Sequence, residues 1–259
     1  MARTLLLRSA TILLLIRNHM LAITGATGRL GHATLRHLAA NAAAGPLVAV
    51  VRDPQKAAAL AAPGVKIRPG DYNDPASLVA AFQGVTTVLL ISGTDMAART
   101  QQHRHVIDAA RTAGVTRLVY TSGVNPDHRN VYYNSKTDSE KLALELAARL
   151  GLELVSVLPA TMIGPENFGL NESYRILADI DRGALPIDPN IYLNWVDVRD
   201  VARACVAASH QGRPGERYLL AQERGTSIRD TIELLNELFP AKPRKLPPRL
   251  PRPLLWGLA

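Results

Sequence analysis

Ala22-Ile23-Thr24-Gly25-Ala26-Thr27-Gly28-Arg29-Leu30-Gly31 sets three glycines at regular spacing between an apolar run and a helical pattern. The spacing G-x-x-G-x-x-G suits a strand-to-helix turn whose backbone must approach a phosphate. Gly25 would permit the tight turn, Gly28 the close approach of a pyrophosphate, and Gly31 the packing of the new helix on the sheet. A side chain at Gly28 would stand where the phosphate belongs. The helix predicted over 30–40 would then offer its unpaired amides and positive dipole end to the anion. Ordinary strand-to-helix turns also show such glycines, so the surroundings decide the reading.

Downstream, apolar runs at 47–51, 65–68, 87–91, 118–121 and 154–158 are rich in Val, Leu and Ile, most of them without polar alternation. They predict strands buried on both faces. Helical patterns fill 54–60, 75–82, 96–113 and 132–150, with Asp53 and Asp74 as N-caps before Pro54 and Pro75, and Gly84 and Gly114 as stops. Strict alternation of strand and helix predicts an α/β fold: a doubly wound parallel sheet with its ligand across the carboxyl ends of the strands.

A chain of 259 residues that is 47% hydrophobic can bury a full core. Its one cysteine, Cys205, excludes an intramolecular disulfide and a Cys-based metal cluster, and points to a reducing, cytoplasmic setting. The net charge of +8 sits at the ends: Arg3, Arg8 and Arg17 in 1–19, and Lys242, Arg244, Lys245, Arg249 and Arg252 in 241–259. Setting these eight aside leaves 22 basic residues against 22 acidic ones, so the body carries no nucleic-acid footprint. Residues 1–19 are too short and interrupted to span a bilayer, and read either as a targeting segment or as an extension upstream of a start at Met20.

The motifs TGATGRLGH, VAVVRDPQKAAAL, VKIRPGDYNDPASLVAAFQGV and LLISG make 20–123 resemble the atypical short-chain dehydrogenase/reductases of the NmrA-like group, especially NAD(P)H quinone reductases and triphenylmethane reductase. Through YYNSKTDSEKL, LPATMIGP and NWVDVRDVARA, 132–239 is similar to extended members of the dihydroflavonol reductase and sugar epimerase type. The resemblance implies a Rossmann core over 20–165 and a small C-terminal substrate lobe over 166–259, intermixed with the core and shorter than in the family.

In a dinucleotide fold, an acidic residue at the end of the second strand accepts the ribose 2′-hydroxyl, whereas an Arg accommodates a 2′-phosphate. Here Arg52 precedes Asp53. The resemblance implies that Arg52 meets the phosphate of NADP(H), with NAD(H) as the alternative, while Asp53 has a sufficient task as a cap. It also implies an adenine contact at Asp71, where a plain turn is the other reading. Ser92 and Gly93 would line the ribose and pyrophosphate path, and Thr27, Arg29 and Leu30 fall within the cradle. Pro159 would open the loop that passes the nicotinamide carboxamide.

Tyr132 and Lys136 form Y-x-x-x-K at the start of a helix, one turn apart and on one face. In the related reductases the Lys holds the nicotinamide ribose and tunes the phenol as a proton donor. The family's hydroxyl that orients the substrate carbonyl would fall at Gly123, so Ser122 is the candidate in its place. Asp197 and Asp200 read as junction residues, with Asp200 capping a helix at 201–208, and His103 and His105 as solvated polar positions. The resemblance supports an NAD(P)H-dependent oxidoreductase acting on a carbonyl or quinone-like small molecule, without nucleic acid, metal or membrane span, and is compatible with a homodimer. The alternative is a redox-sensing regulator that binds NADP(H) without turnover.

Overall fold

The computed structural model describes residues 20–40, 45–123, 131–165 and 172–249. The segment 1–19 and the last residues of the basic C-terminal stretch, 250–259, lie outside the described residues. In chain order the first unit carries β1 (Leu21–Ile23), α1 (Arg29–Ala39), β2 (Leu47–Val51), a 3-10 helix (Pro54–Leu60), β3 (Val65–Pro69), α2 (Pro75–Ala81), β4 (Thr87–Leu90), α3 (Arg99–Thr112), β5 (Arg117–Thr121), α4 (Val131–Leu150) and β6 (Glu153–Pro159). The second unit contributes β7 (Thr161–Ile163), α5 (Glu172–Arg182), β8 (Tyr192–Leu193) and β9 (Trp195–Asp197), after which α6 (Val198–Gln211) and β10 (Arg217–Leu220) return to the first. β11 (Thr226–Ser227) and α7 (Ile228–Leu238) close the second unit.

Seven strands form one sheet in the order β3-β2-β1-β4-β5-β6-β10, every pair parallel. The chain winds outward from β1 to β3, then restarts beside β1 with β4, so the switch point predicted for a doubly wound sheet falls between β1 and β4. β1, β2 and β4 are buried at every position, as apolar runs covered on both faces must be. β3 departs from that expectation: it is the edge strand and is half exposed, with Arg68 donating to the Ala81 and Gln83 carbonyls at 2.8 Å. The main core runs from Val48 and Val88 through Phe82, Ile107 and Leu118 to Leu146.

Local chemistry sets the element ends. Asp74 Oδ1 accepts from the Ala76 and Ser77 amides, capping α2 as read, and Gly84 and Gly114 stop their helices at φ +74° and +81°. Asp53 likewise accepts from the Gln55 amide, but the segment it opens is a 3-10 helix, with the chain already extended at Ala61 ahead of Pro63. α3 begins at Arg99 rather than 96, because Asp95 first gathers the Ala97 and Ala98 amides into a turn. Asp200 is not a cap: α6 starts at Val198, leaving Asp200 in its first turn, paired with Arg203. Burial pushes the free Cys205 thiol up to about 12.

The second unit holds a parallel pair, β7 with β9, an antiparallel pair, β8 with β11, and an Ile180–Ile228–Ile232 core. Its basic C-terminal stretch is tied down within the unit. Lys242 Nζ and Arg244 Nε each lie 2.9 Å from the Asp181 carboxylate, and Arg249 Nε lies 3.7 Å from buried Asp188. Among the described residues no helix is long and apolar enough to cross a membrane.

Candidate functional site

The β1–α1 turn has the geometry of an anion cradle. Gly25 sits at φ +59°, the left-handed region that glycine tolerates best, and its carbonyl accepts from the Gly28 amide at 2.9 Å. A Cβ on Gly31 would overlap the Gly25 carbonyl oxygen and come within 2.7 Å of the Ala26 Cα, so that glycine is fixed by packing. A Cβ on Gly28 would meet only the Gly25 oxygen, at 3.1 Å, and otherwise open space. No side chain caps α1 and no acidic residue stands in its first turn, so the helix end stays electropositive toward whatever enters. Thr27 is exposed, Arg29 half-buried at the first helical position, and Leu30 sends its side chain into the core, leaving only its backbone to face the cradle.

A hydroxyl network stiffens the floor beneath the cradle. Thr24 Oγ1 lies 3.1 Å from the Leu89 carbonyl, accepts from the Ile91 amide at 3.0 Å and lies 2.5 Å from the Tyr72 hydroxyl, which reaches the Ile91 carbonyl at 2.7 Å. Burial raises the Tyr72 phenol well above its ordinary value, so it remains a neutral strut. Arg52 is exposed just past β2. Asp71 Oδ1 accepts from the Asn73 amide at 2.9 Å, an Asx-turn that gives this carboxylate a structural task. Just past the end of β4, the Ser92 amide donates to Thr121 Oγ1 at 2.9 Å, while its own buried Oγ has no hydrogen-bond partner among the described residues. A cradle open at Gly28 and an orphaned hydroxyl across the switch point fit a dinucleotide.

Beside them lies a buried polar cluster. Lys136, 8% exposed, places Nζ 5.8 Å from the centroid of the half-exposed Tyr132 ring, so the two motif residues do come together. Burial, aided by the Arg99 charge, pushes the Lys136 ammonium down to about 7. Ser122 is buried and donates to Glu140 Oε2 at 2.7 Å, and Arg217 grips the same carboxylate through Nε and Nη2 at 2.9 and 3.0 Å. Burial opposes the Glu140 charge, but these hydrogen bonds prevail and hold its carboxyl below the ordinary value. A Cβ on Gly123 would approach only the Lys136 stem, at 3.9 Å. Pro159 ends β6 in the sheet, opposite Leu220.

Arg99, Glu140 and Arg217 went unread in the sequence, and the reading of His103 is overturned. His103 is not a solvated histidine but completely buried: Nδ1 meets the Tyr120 hydroxyl at 3.0 Å and Nε2 accepts from the Gly93 amide at 3.4 Å. Burial first, then the Lys136 and Arg99 charges, push it down to about 3, so the ring is a fixed neutral support for Gly93. His105 is half-buried and bonds the Tyr72 carbonyl. Arg99 is 1% exposed and bonds Gly93 and Ser135. A signal existed: Arg99, Gln102, His103, Val106, Ile107 and Ala110 are the buried stripe of α3 at helical spacing, polar in its first half.

Residues 25–211 match the family described as NAD(P)H-binding. The chain is 50% identical over 108 residues to quinone oxidoreductase 2 of Escherichia coli, covering 42% of this chain and 38% of that protein. It is 33% identical over 211 residues to cinnamoyl-CoA reductase 1 of Oryza sativa subsp. japonica, covering 67% and 60%. The match thus spans less than two thirds of either relative. Among solved structures, the NADPH-dependent quinone oxidoreductase of E. coli complexed with NADPH superposes with a TM-score of 0.70 at 30% identity, covering 89% of this chain and 78% of that one. These relatives agree with the kinship that the motifs suggest. With the three cradle glycines and five of the seven sheet strands inside the matched segment, the chain belongs to the NAD(P)H-binding family.

Proposed function

We propose that the chain is an NAD(P)H-dependent oxidoreductase that reduces a carbonyl or quinone-like small molecule, with NADPH the preferred donor. The observation that carries this reading is the Tyr132–Lys136 pair on one face of α4, a phenol and a buried amine, in the same unit as the glycine cradle. Gly25, Gly28 and Gly31 shape the pyrophosphate cradle, Arg52 meets the 2′-phosphate, and Ser92 and Gly93 receive the ribose side. A reduced nicotinamide, when bound, would supply a hydride, two electrons and a proton, to the acceptor. Tyr132 then gives its phenolic proton to the acceptor oxygen, so a carbonyl leaves as an alcohol. Ser122 already donates its one proton to Glu140 and is left with lone pairs, so the donor role falls to Tyr132. Lys136 gains a proton more readily once nucleotide phosphates bring negative charge, and bonds the ribose. The single buried cysteine supports a reducing, cytoplasmic setting.

NADPH oxidation measured with an aromatic aldehyde and with a simple quinone tests this. Tyr132→Phe should lower aldehyde turnover by roughly 10²- to 10⁴-fold while leaving NADPH affinity nearly unchanged, because the phenol acts in the transition state. An unchanged aldehyde rate removes Tyr132 from the chemistry. Tight NADPH binding without oxidation by any acceptor would favour the regulator.

A further inference from the structure

Arg99 is the largest fully buried side chain of the described residues, and burying a guanidinium costs several kcal/mol unless something compensates. Its partners are a carbonyl, a hydroxyl and an aromatic ring. Nε donates to the Gly93 carbonyl at 3.1 Å, Nη1 donates to Ser135 Oγ, and the guanidinium carbon stands 5.1 Å from the centroid of the Tyr132 ring. None of these is an anion. The side chain therefore joins the loop that follows β4 to the first two turns of α4, which carry Tyr132 and Lys136. A lysine could not make this link, since one ammonium cannot reach in the two fixed directions that a guanidinium fork provides.

We propose that Arg99 is the positioning residue of the Tyr132–Lys136 pair: it clamps the start of α4 to Gly93, holds the Tyr132 ring against its guanidinium, and adds a permanent positive charge to the cluster that holds the pair. This rests on the reductase reading for its use, but not for its geometry. Among the described residues, the other titratable groups around it are neutral or already paired. His103, on its own helix, is neutral above about 3. Tyr120 on β5 and Tyr72 after β3 are raised by burial and stay neutral. Glu140 on α4 is occupied by Arg217 and Ser122. Lys136 is thus the group left to respond, and Arg99 is the second cause of its lowered value after burial.

The test is a ¹³C-methyl-lysine NMR titration of the whole chain, with the Lys136 signal assigned by its loss in Lys136→Met. Arg99→Gln keeps polar contacts and drops the charge, and should move the Lys136 midpoint upward by about one pH unit, a tenfold change in its ratio of ammonium to neutral amine at a given pH. Arg99→Lys keeps the charge and should leave that midpoint near the wild-type value, yet lower kcat for an aldehyde about tenfold with KM for NADPH unchanged. A Lys136 midpoint that stays put in Arg99→Gln overturns the proposal. If Arg99→Gln does not fold, Arg99→Lys decides: wild-type kcat overturns the clamp, and a lowered kcat with an unmoved midpoint supports it. The titration needs no turnover, so a chain that reduces nothing would sink the reductase reading while still reporting on Arg99.

Discussion

At the β1–α1 turn three glycines clear space, and the backbone supplies what chemistry there is; where β4, α3 and α4 converge, Arg99, His103, Lys136 and Glu140 are all buried and the side chains supply it. Both regions prepare a binding surface, but the first does so by omission and the second by desolvated charge. An omission tolerates little added volume and is indifferent to pH. Buried charge behaves the other way: its geometry can be copied by an isostere, while its energy follows protonation.

The glycines offer the strongest way to break this contrast. Gly31→Val should cost about 3 kcal/mol or more, because the new carbon meets backbone that cannot yield. Thermal unfolding would show it as a fall of very roughly 6–12 °C. Gly28→Val should cost far less stability, since its backbone is extended and its Cβ meets only the Gly25 carbonyl oxygen, at 3.1 Å. Yet calorimetry should show NADPH affinity lower by about two orders of magnitude, a loss of ~2.7 kcal/mol. If Gly28→Val binds normally, the phosphate does not lie in the cradle.

Arg52 comes next. Arg52→Gln should lose about 1.5–3 kcal/mol of NADPH binding, ten- to a hundredfold, and leave NADH unchanged. Equal losses for both nucleotides would return cofactor choice to Asp53.

The smallest effect belongs to the buried cluster, and its sign is diagnostic. Lys136 titrates near 7 when folded against an ordinary 10.5, so the unfolded chain binds more protons between those values and stability rises with pH across them. Lys136→Met should therefore raise the Tm by a few degrees at and below neutral pH, with the gain shrinking toward pH 10.5 and absent above it. His103 gives the same slope lower down, with stability lost as pH falls from 6.5 toward about 3. A Tm gain in Lys136→Met that is the same at every pH would mean the side chain is ordinary packing.

The fold was legible because parallel strands covered on both faces are written as uninterrupted Val, Leu and Ile, as in Leu47–Val51, and because Asp-Pro and Gly mark the helix ends. β3 was the exception, since an edge strand carrying Lys66 and Arg68 answers to solvent as well as to the core. In the site, the glycine turn could be read from its spacing between an apolar run and a helical pattern, and Tyr132 and Lys136 from one turn at the start of a helix. Arg99 and His103 could not be read from hydropathy, because it scores the first half of the α3 stripe as surface. What buries them is partners far along the chain: Ser135 for Arg99, Tyr120 for His103. Ser122 was legible as a hydroxyl at a strand end, but its bond to Glu140, eighteen positions on, was not.

The Thr24 hydroxyl sets a rule for anyone wishing to re-engineer cofactor choice in this chain. One oxygen fastens the ends of β1 and β4 and the Tyr72 phenol together, so edits near Gly25 or Ile91 would shift the backbone beneath the glycine cradle. Arg52, by contrast, stands exposed at the rim. On the proposed reading, the adjustable position is separate from its foundation, and a donor swap belongs at 52, since Asp53 also caps the segment that follows.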